Sequence, residues 1–455
     1  MEENIAALAT PMGEGGIAIV RVSGNTSLPL VNSMFKSRSG KPLDVVKSHT
    51  LTLGWIYDKE WRIIDEVLVG IMRAPHSYTG QDVVEINCHG GQRVARRCLE
   101  AVLKSGARLA NPGEFTKRAF LLGRIDMTQA EAVIDVIRAK GDRALELAAR
   151  NLMGALSKDI LEIEEKMVSV NSRLEASIDF PDEVGDPDLN EIKDSVLKAI
   201  DNFNRIIAGG KRTRVYKEGI RIALAGKPNV GKSTLLNTLL RKERAIVTNI
   251  PGTTRDVIED YILIEGIPVR IMDTAGIRET NDEIEKIGVN KSLEALTEAD
   301  IVLVVLDSSK KMDEEDRMVL EATKDQKRII ILNKQDIEIN EFQLDENIEK
   351  GLVIKISAKF ERNISPLENA IKEIALSNSS HCDGEEIMVN MRQEKLILKA
   401  REYLSDVLQG IEEKMPLDCL AVDAWGAVKC LEELTGKQIR EDIIDKIFTD
   451  FCIGK

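Results

Sequence analysis

The chain has 455 residues, of which 43% are apolar, only 4% aromatic and 31% charged, with a formal net charge of −13. That length accommodates about three domains of ~150 residues each, and the acidic balance excludes a protein whose whole surface grips nucleic acid. No apolar run approaches the ~20 residues that span a bilayer, and the opening MEENIAALATPMGEGG has neither the basic nor the apolar region of a signal peptide.

The first hundred residues alternate strand and helix signals. GIAIVRVSG (16–24), EVLVGIMRAP (66–75) and DVVEINCHG (82–90) read as strands, the last ending in a Gly90-Gly91 turn. QRVARRCLEAVLKSG (92–106) reads as an amphipathic helix closed by Gly106, so a small α/β domain is expected. From Met127 to Asp179 apolar residues recur at helical spacing (Ala132, Ile134, Val136, Ile137, Leu145, Leu147, Leu152, Leu156). Phe180-Pro181-Asp182 interrupts that pattern, because proline removes a helix donor and clashes with the preceding turn. A further helix is expected from about Leu189 to Ala208, with Gly209-Gly210 marking a boundary. Helical texture returns from about Glu385 to Phe451.

Between the helical stretches lies a different pattern. RIALAGKPNVGKSTLLNTLL is a strand, a glycine loop and a helix, and GxxxxGK[ST] is complete from Gly226 to Ser233. In that context Asn229, Val230, Gly231, Lys232, Ser233 and Thr234 cradle phosphates with backbone N–H groups at a helix N-terminus. Lys232 is expected to reach the β- and γ-phosphates and Ser233 to ligate Mg²⁺. Asp273, Thr274, Ala275 and Gly276 (DTAG) follow the strand PVRIMD, placing a carboxylate near Mg²⁺ and an N–H near the γ-phosphate. Asn333, Lys334 and Asp336 of NKQD follow RIIIL, and the Asp336 carboxylate can accept from guanine N1–H and the 2-amino group, donors that adenine lacks. Ser357, Ala358 and Lys359 follow LVIKI and can support the guanine carbonyl. Four motifs in this order, each after a strand, indicate a P-loop GTPase domain of Ras-like type.

The residue after DTAG is Ile277, where Ras-like proteins carry the glutamine that orients water. Glu279, Asp282, Glu283 and Glu285 are the available carboxylates, and chemistry alone does not choose among them. Arg255 and Arg278 lie nearby, with nothing to single out either as a finger. The organisation expected is α/β plus all-α: an N-terminal α/β domain at 1–124, a helical domain in two pieces at 125–217 and 378–455, and an inserted GTPase domain at 218–377.

The strings GKPNVGKS, TNIPGTTRD (248–256), DTAGIRET, NKQD and the terminal FCIGK together resemble the tRNA-modification GTPase family MnmE, also called TrmE. TPMGEGGIAIVRVSG, SYTGQDVVEINCHGG and NPGEFTKRAFLLGRIDMTQAEAV are similar to the same family, so the likeness runs from the first residues to the last four. The resemblance implies a homodimer formed through an N-terminal domain that binds a tetrahydrofolate derivative, in its 5-formyl or 5,10-methylene form. It also implies a flavin-dependent partner (MnmG, also called GidA) in a heterotetramer or larger assembly. Together the two would modify carbon 5 of the wobble uridine of certain tRNAs in the cytoplasm, giving an aminomethyl or carboxymethylaminomethyl product.

Carried onto this sequence, the family's nucleotide site extends over Thr248, Asn249, Ile250, Pro251, Gly252, Thr253 and Thr254. K⁺ would sit between Asn229, Thr248, Ile250 and Thr253, a set of neutral oxygens, in place of an arginine finger. Thr254 would join Ser233 on Mg²⁺, and Glu285 would orient the attacking water. The folate would be held by Arg21, Glu85, Arg124 and Lys455, the Glu85 carboxylate suiting the pterin's amide and amino edge and the cations its anionic glutamate tail. Many relatives carry lysine where Arg124 stands.

Of six cysteines (Cys88, Cys98, Cys382, Cys419, Cys430, Cys452), none forms a CxxC pair, which disfavours zinc and suits reduced thiols in the cytoplasm. Cys452 alone has a motif around it, and the resemblance places it near the folate as a catalytic or positioning group. The other five are expected to be buried small apolar residues. Two other readings fit parts of the chain: a regulatory GTPase switch in ribosome or RNA assembly that modifies nothing, and a folate-binding sensor.

Overall fold

A computed structural model describes residues 3–242, 261–272, 296–337, 351–377 and 386–455. The N-terminal part is a seven-stranded sheet in the order β3-β4-β5-β6-β2-β1-β7. Its strands are β1 (Ile5–Leu8), β2 (Gly15–Ser23), β3 (Phe35–Ser37), β4 (Thr50–Tyr57), β5 (Ile63–Met72), β6 (Val83–Gly90) and β7 (Arg108–Leu109). All pairings are antiparallel except β1 with β7. Helix α1 (Ser27–Asn32) is short, and α2 (Gln92–Lys104) buries Ala95, Cys98, Ala101 and Val102 against Val20, Val22, Val69, Val84 and Ile86 on one face of the sheet. Alternation fixes what the other face carries: Ile19, Arg21, Leu51, Leu53, Leu68, Glu85 and Asn87 share it by register. On that face α3 (Glu114–Leu121) sets Phe115 against Ile5 and Ala7 and leaves β4 and β5 uncovered, so Leu51 is 64% and Leu68 39% exposed.

The helices follow as α4 (Met127–Arg138), α5 (Asp142–Leu152), α6 (Ala155–Asp179), the single turn α7 (Pro181–Val184) and α8 (Leu189–Glu218). After the nucleotide-type sheet come α12 (Met391–Glu412), α13 (Leu417–Thr435) and α14 (Glu441–Thr449). One core joins both sets: Leu156, Ile160, Met167 and Leu174 of α6 and Phe203 of α8 pack with Ile397, Leu404, Val428 and Leu431 of α12 and α13. No helix among the described residues is long and apolar enough to cross a membrane.

One sequence expectation fails in this region. The helix expected to stop at Ala208 runs through Gly209-Gly210 to Glu218. The glycines serve close approach instead of a break: a Cβ on Gly210 would lie 2.9 Å from the Val389 Cβ, and Gly209 faces the backbone of Ile387. Thr213 one turn on donates to the Ile387 carbonyl, so α8 is clamped to the extended segment that returns the chain to the helical part. Ile137 and Leu145, two of the apolar residues at helical spacing, are about two-fifths exposed, whereas Ala132 and Leu147 of the same helices are buried.

The inserted sheet has the order β13-β12-β11-β8-β10-β9, parallel apart from β9 with β10. Its strands are β8 (Ile220–Ala225), β9 (Ile262–Ile264), β10 (Ile267–Met272), β11 (Ile301–Asp307), β12 (Arg328–Asn333) and β13 (Val353–Lys355). Helices α9 (Lys232–Lys242), α10 (Glu314–Ala322) and α11 (Ile364–Leu376) connect or flank them. The central strands are continuous apolar runs, as a sheet covered on both faces requires. Ala144 and Leu147 of α5 and Tyr216 of α8 enter the same core as Ile222, Leu303 and Ile331, so the sheet is seated on the helices by apolar contact.

Candidate functional site

The loop between β8 and α9 has the backbone a phosphate cradle needs. Gly226 and Gly231 have φ of +144° and +101°, and Asn229, a residue that tolerates the left-handed region, has φ +63°. A Cβ on Gly231 would fall 2.3 Å from the Asn333 amide nitrogen, and one on Gly226 2.4 Å from the Val305 carbonyl oxygen, so only glycine fits at either place. Asn229 is exposed and Val230 buried, while Ser233 and Thr234 open to solvent at the start of α9. Lys232 Nζ donates to the carbonyls of Gly226 (2.5 Å) and Lys227 (2.9 Å), inside the loop it would serve.

The NKQD residues follow β12 and turn back onto this loop. Asn333, 3% exposed, donates through Nδ2 to the Val230 carbonyl (2.9 Å) and accepts through Oδ1 from the Ala358 N–H (3.0 Å). Lys334 donates to the Asn229 carbonyl (2.9 Å) and to Asp307 Oδ2 (2.6 Å). Burial opposes ionisation of Asp307, yet the Lys334 ammonium and the Ser309 hydroxyl and N–H hold its carboxyl below the usual range. Ser357 donates to Asp336 Oδ1 (2.5 Å), which lowers the Asp336 pKa and fixes the carboxylate beside the Ser357–Lys359 turn. Thr238 of α9 donates to the Ala358 carbonyl (2.9 Å). Asn229, Val230, Gly231, Asn333, Lys334, Asp336, Ser357 and Ala358 are thus brought into one hydrogen-bonded rim, with Lys359 exposed at its edge. The residues named at 248–254 and 273–276, and Glu285, lie outside the described residues.

A second constellation forms where the tail meets the first sheet. Arg21 Nε donates to Glu85 Oε1 (2.8 Å), its cross-strand neighbour, and Arg21 Nη1 donates to the Gly454 carbonyl (3.0 Å). The Arg21 guanidinium lies 4.7 Å from the Tyr78 ring centre and 5.7 Å from that of Phe115. Arg124 donates to the Tyr78 carbonyl (2.7 Å) and lies 5.4 Å from the same ring. The Phe115 N–H donates to the Lys455 carbonyl (3.1 Å), and a Cβ on Gly454 would strike the Leu8 carbonyl at 2.2 Å. Burial and the Arg21 charge push the Lys455 ammonium down, with Glu85 opposing. Among these side chains, Arg21 and the Lys455 ammonium interact with Glu85, and Arg124 shares the Tyr78 ring with Arg21. Cys452 is exposed, its carbonyl accepting from the Gly113 N–H. Cys88, Cys98 and Cys430 are buried as expected, Cys419 is only half-buried, and Cys382 lies outside the described residues.

Sequence reasoning missed Tyr78 and Phe115, the aromatic platform under Arg21, and the ion pairs of Lys227. Both aromatics stand inside the quoted N-terminal strings, yet nothing local marks them as facing Arg21. A cleft of about 500 Å³ between α3 and α14, lined by Asn111, Glu114, Lys117, Arg118, Asp445 and Phe448, contains none of the candidate residues.

Two family models match the chain: "MnmE helical domain" over residues 127–452 and "GTP-binding protein TrmE N-terminus" over residues 4–124. Among curated proteins it is similar to the tRNA modification GTPase MnmE of Syntrophomonas wolfei, 50% identical over all of this chain and 99% of that protein. The proteins of the same name from Moorella thermoacetica and Clostridioides difficile are 46% and 45% identical, with all of each chain covered. Matched from end to end at such identity, and carrying the phosphate loop and guanine-type rim in one sheet, the chain belongs to the MnmE (TrmE) family of tRNA modification GTPases.

Proposed function

We propose that this chain hydrolyses GTP and, with a flavin-dependent partner of the MnmG (GidA) kind, modifies carbon 5 of the wobble uridine in certain tRNAs with a folate one-carbon unit. The observation that carries the reading is the fusion of phosphate loop and base loop through Asn333: one buried amide holds the Val230 carbonyl and the Ala358 N–H, setting the two ends of a guanine nucleotide at fixed distance. Lys232 exchanges its two loop carbonyls for phosphate oxygens, and Asp336, ionised and oriented by Ser357, reads the guanine edge. Ser233, with Thr254, suits Mg²⁺, which when bound screens phosphate charge. Asn229, Thr248, Ile250 and Thr253 suit K⁺, and Glu285 positions water.

Arg21, Glu85, Arg124 and Lys455 fit a folate: the cations suit its glutamate carboxylates, and Glu85 Oε2 remains for a donor edge. The uncovered sheet face, with Ile17 62% and Leu51 64% exposed beside Arg21 and Glu85, supports a homodimer closed through this sheet and sharing the folate site. The protein is read as cytoplasmic. Two assays test the proposal together. Hydrolysis should be several-fold or more faster in KCl than in NaCl at matched ionic strength. Nucleosides from bulk tRNA of a deletion strain should lose the wobble modification and regain it on complementation. Intact hydrolysis with unchanged nucleosides would favour a regulatory switch that modifies nothing.

A further inference from the structure

The phosphate loop carries a second lysine besides Lys232, Lys227 at its second position, whose side chain is only 13% exposed. It leaves the loop sideways and ends between two carboxylates of α10, 2.5 Å from Asp313 Oδ2 and 2.8 Å from Asp316 Oδ2. Those carboxylates are already bound to each other's backbone: Asp313 caps α10 by accepting from the Asp316 N–H (3.1 Å), and Asp316 accepts from the Asp313 N–H (3.3 Å). Asp316 is nearly fully buried, and its Oδ1 has no hydrogen-bond partner, so Lys227 is the cation that makes this carboxylate tolerable. The contact raises the Lys227 pKa against burial, so the side chain stays charged at neutral pH.

The other holds on the loop come from elsewhere. Gly226 abuts β11, and the carbonyls of Asn229 and Val230 are held by Lys334 and Asn333. Lys227 anchors the limb between them, and its own carbonyl is one of the two that accept Lys232 Nζ. We propose that Lys227, clamped by Asp313 and Asp316, is a positioning residue that holds the ascending limb of the phosphate loop in its nucleotide-binding shape and ties it to the N-terminus of α10. This rests on the reading of Gly226 to Ser233 as the nucleotide loop. Because the clamp shapes the cradle in ground and transition states alike, its loss falls on affinity more than on turnover.

The test uses the full-length chain and a fluorescent GDP, with GTP hydrolysis followed in parallel. Lys227→Met alone leaves a buried carboxylate uncompensated and can fail through folding, so it is paired with Lys227→Met/Asp316→Asn, which removes both charges. The double variant is expected to melt near the wild type, bind GDP at least ten-fold more weakly through faster release, and lose kcat/KM with kcat reduced less than three-fold. Lys227→Arg, whose fork can span both carboxylates, is expected to bind within three-fold of the wild type. Wild-type affinity in the double variant overturns the proposal and leaves the ion pair as packing alone. A fall confined to kcat overturns it as well. A wild-type chain that binds no GDP would remove the nucleotide-loop reading itself, which the variant ratios do not touch.

Discussion

Replacing Asn333 with alanine tests whether the two halves of the nucleotide site are held by one side chain. The amide is 3% exposed and makes two hydrogen bonds, 2.9 Å to the Val230 carbonyl and 3.0 Å from the Ala358 N–H. Alanine strands both backbone groups in a buried place, at about 1–3 kcal/mol each. Of the resulting ~2–6 kcal/mol, part appears as lower stability of the inserted sheet and the rest as weaker nucleotide binding. A share of ~2 kcal/mol corresponds to about 30-fold in affinity at ~1.4 kcal/mol per decade. Thr238→Ala provides the scale: it removes one bond, to the carbonyl side of the same Ala358, and should cost on the order of 1 kcal/mol, or about five-fold. Fluorescent GDP titration with parallel thermal unfolding reads both parts. Affinity within three-fold of the wild type together with an unchanged melting temperature would refute the argument, as would a larger effect from Thr238→Ala.

Glu285→Ala should abolish most hydrolysis and leave GTP affinity within a few-fold, since a water-orienting group acts only in the transition state; a larger loss from Glu283→Ala or Asp282→Ala would show that the family's role does not sit at 285. Glu131, buried on α4, accepts 2.8 and 2.9 Å bonds from Arg392 and one of 2.7 Å from Gln393, so Glu131→Ala should lower stability by about 3 kcal/mol; a change in the urea midpoint equivalent to less than ~1 kcal/mol would contradict this. His89, exposed and hydrogen-bonded to Asp65, has its pKa raised by that bond and by the carboxylate's charge. Its folded pKa lies above the unfolded one, so its contribution is fully present below pH ~6.5 and fades as pH rises through the folded value. NMR titration should place the midpoint above 6.5, falling back in Asp65→Asn.

The sequence by itself determined the features whose physics is local. A phosphate loop must follow a strand and open a helix, so GxxxxGK[ST] after RIALA could be placed before any coordinates, and so could NKQD at the end of the apolar run RIIIL. The same holds for Pro181, which ends α6 at Asp179 by steric necessity. Only tertiary structure decided the rest, because the deciding partner lies far along the chain. Gly209-Gly210 carries the local signature of a break, yet α8 continues because the missing Cβ atoms admit the segment around Val389. Nothing local in the last four residues says where they dock, and only the family resemblance placed them beside the folate residues; the Phe115 N–H, the Arg21 guanidinium and the close seat of Gly454 on Leu8 hold them on the first sheet. Lys227 is one charge among many in the sequence; its meaning comes from two carboxylates more than eighty residues away, and only folding brings that charge and those carboxylates within hydrogen-bond reach in a buried place where neither could stand alone.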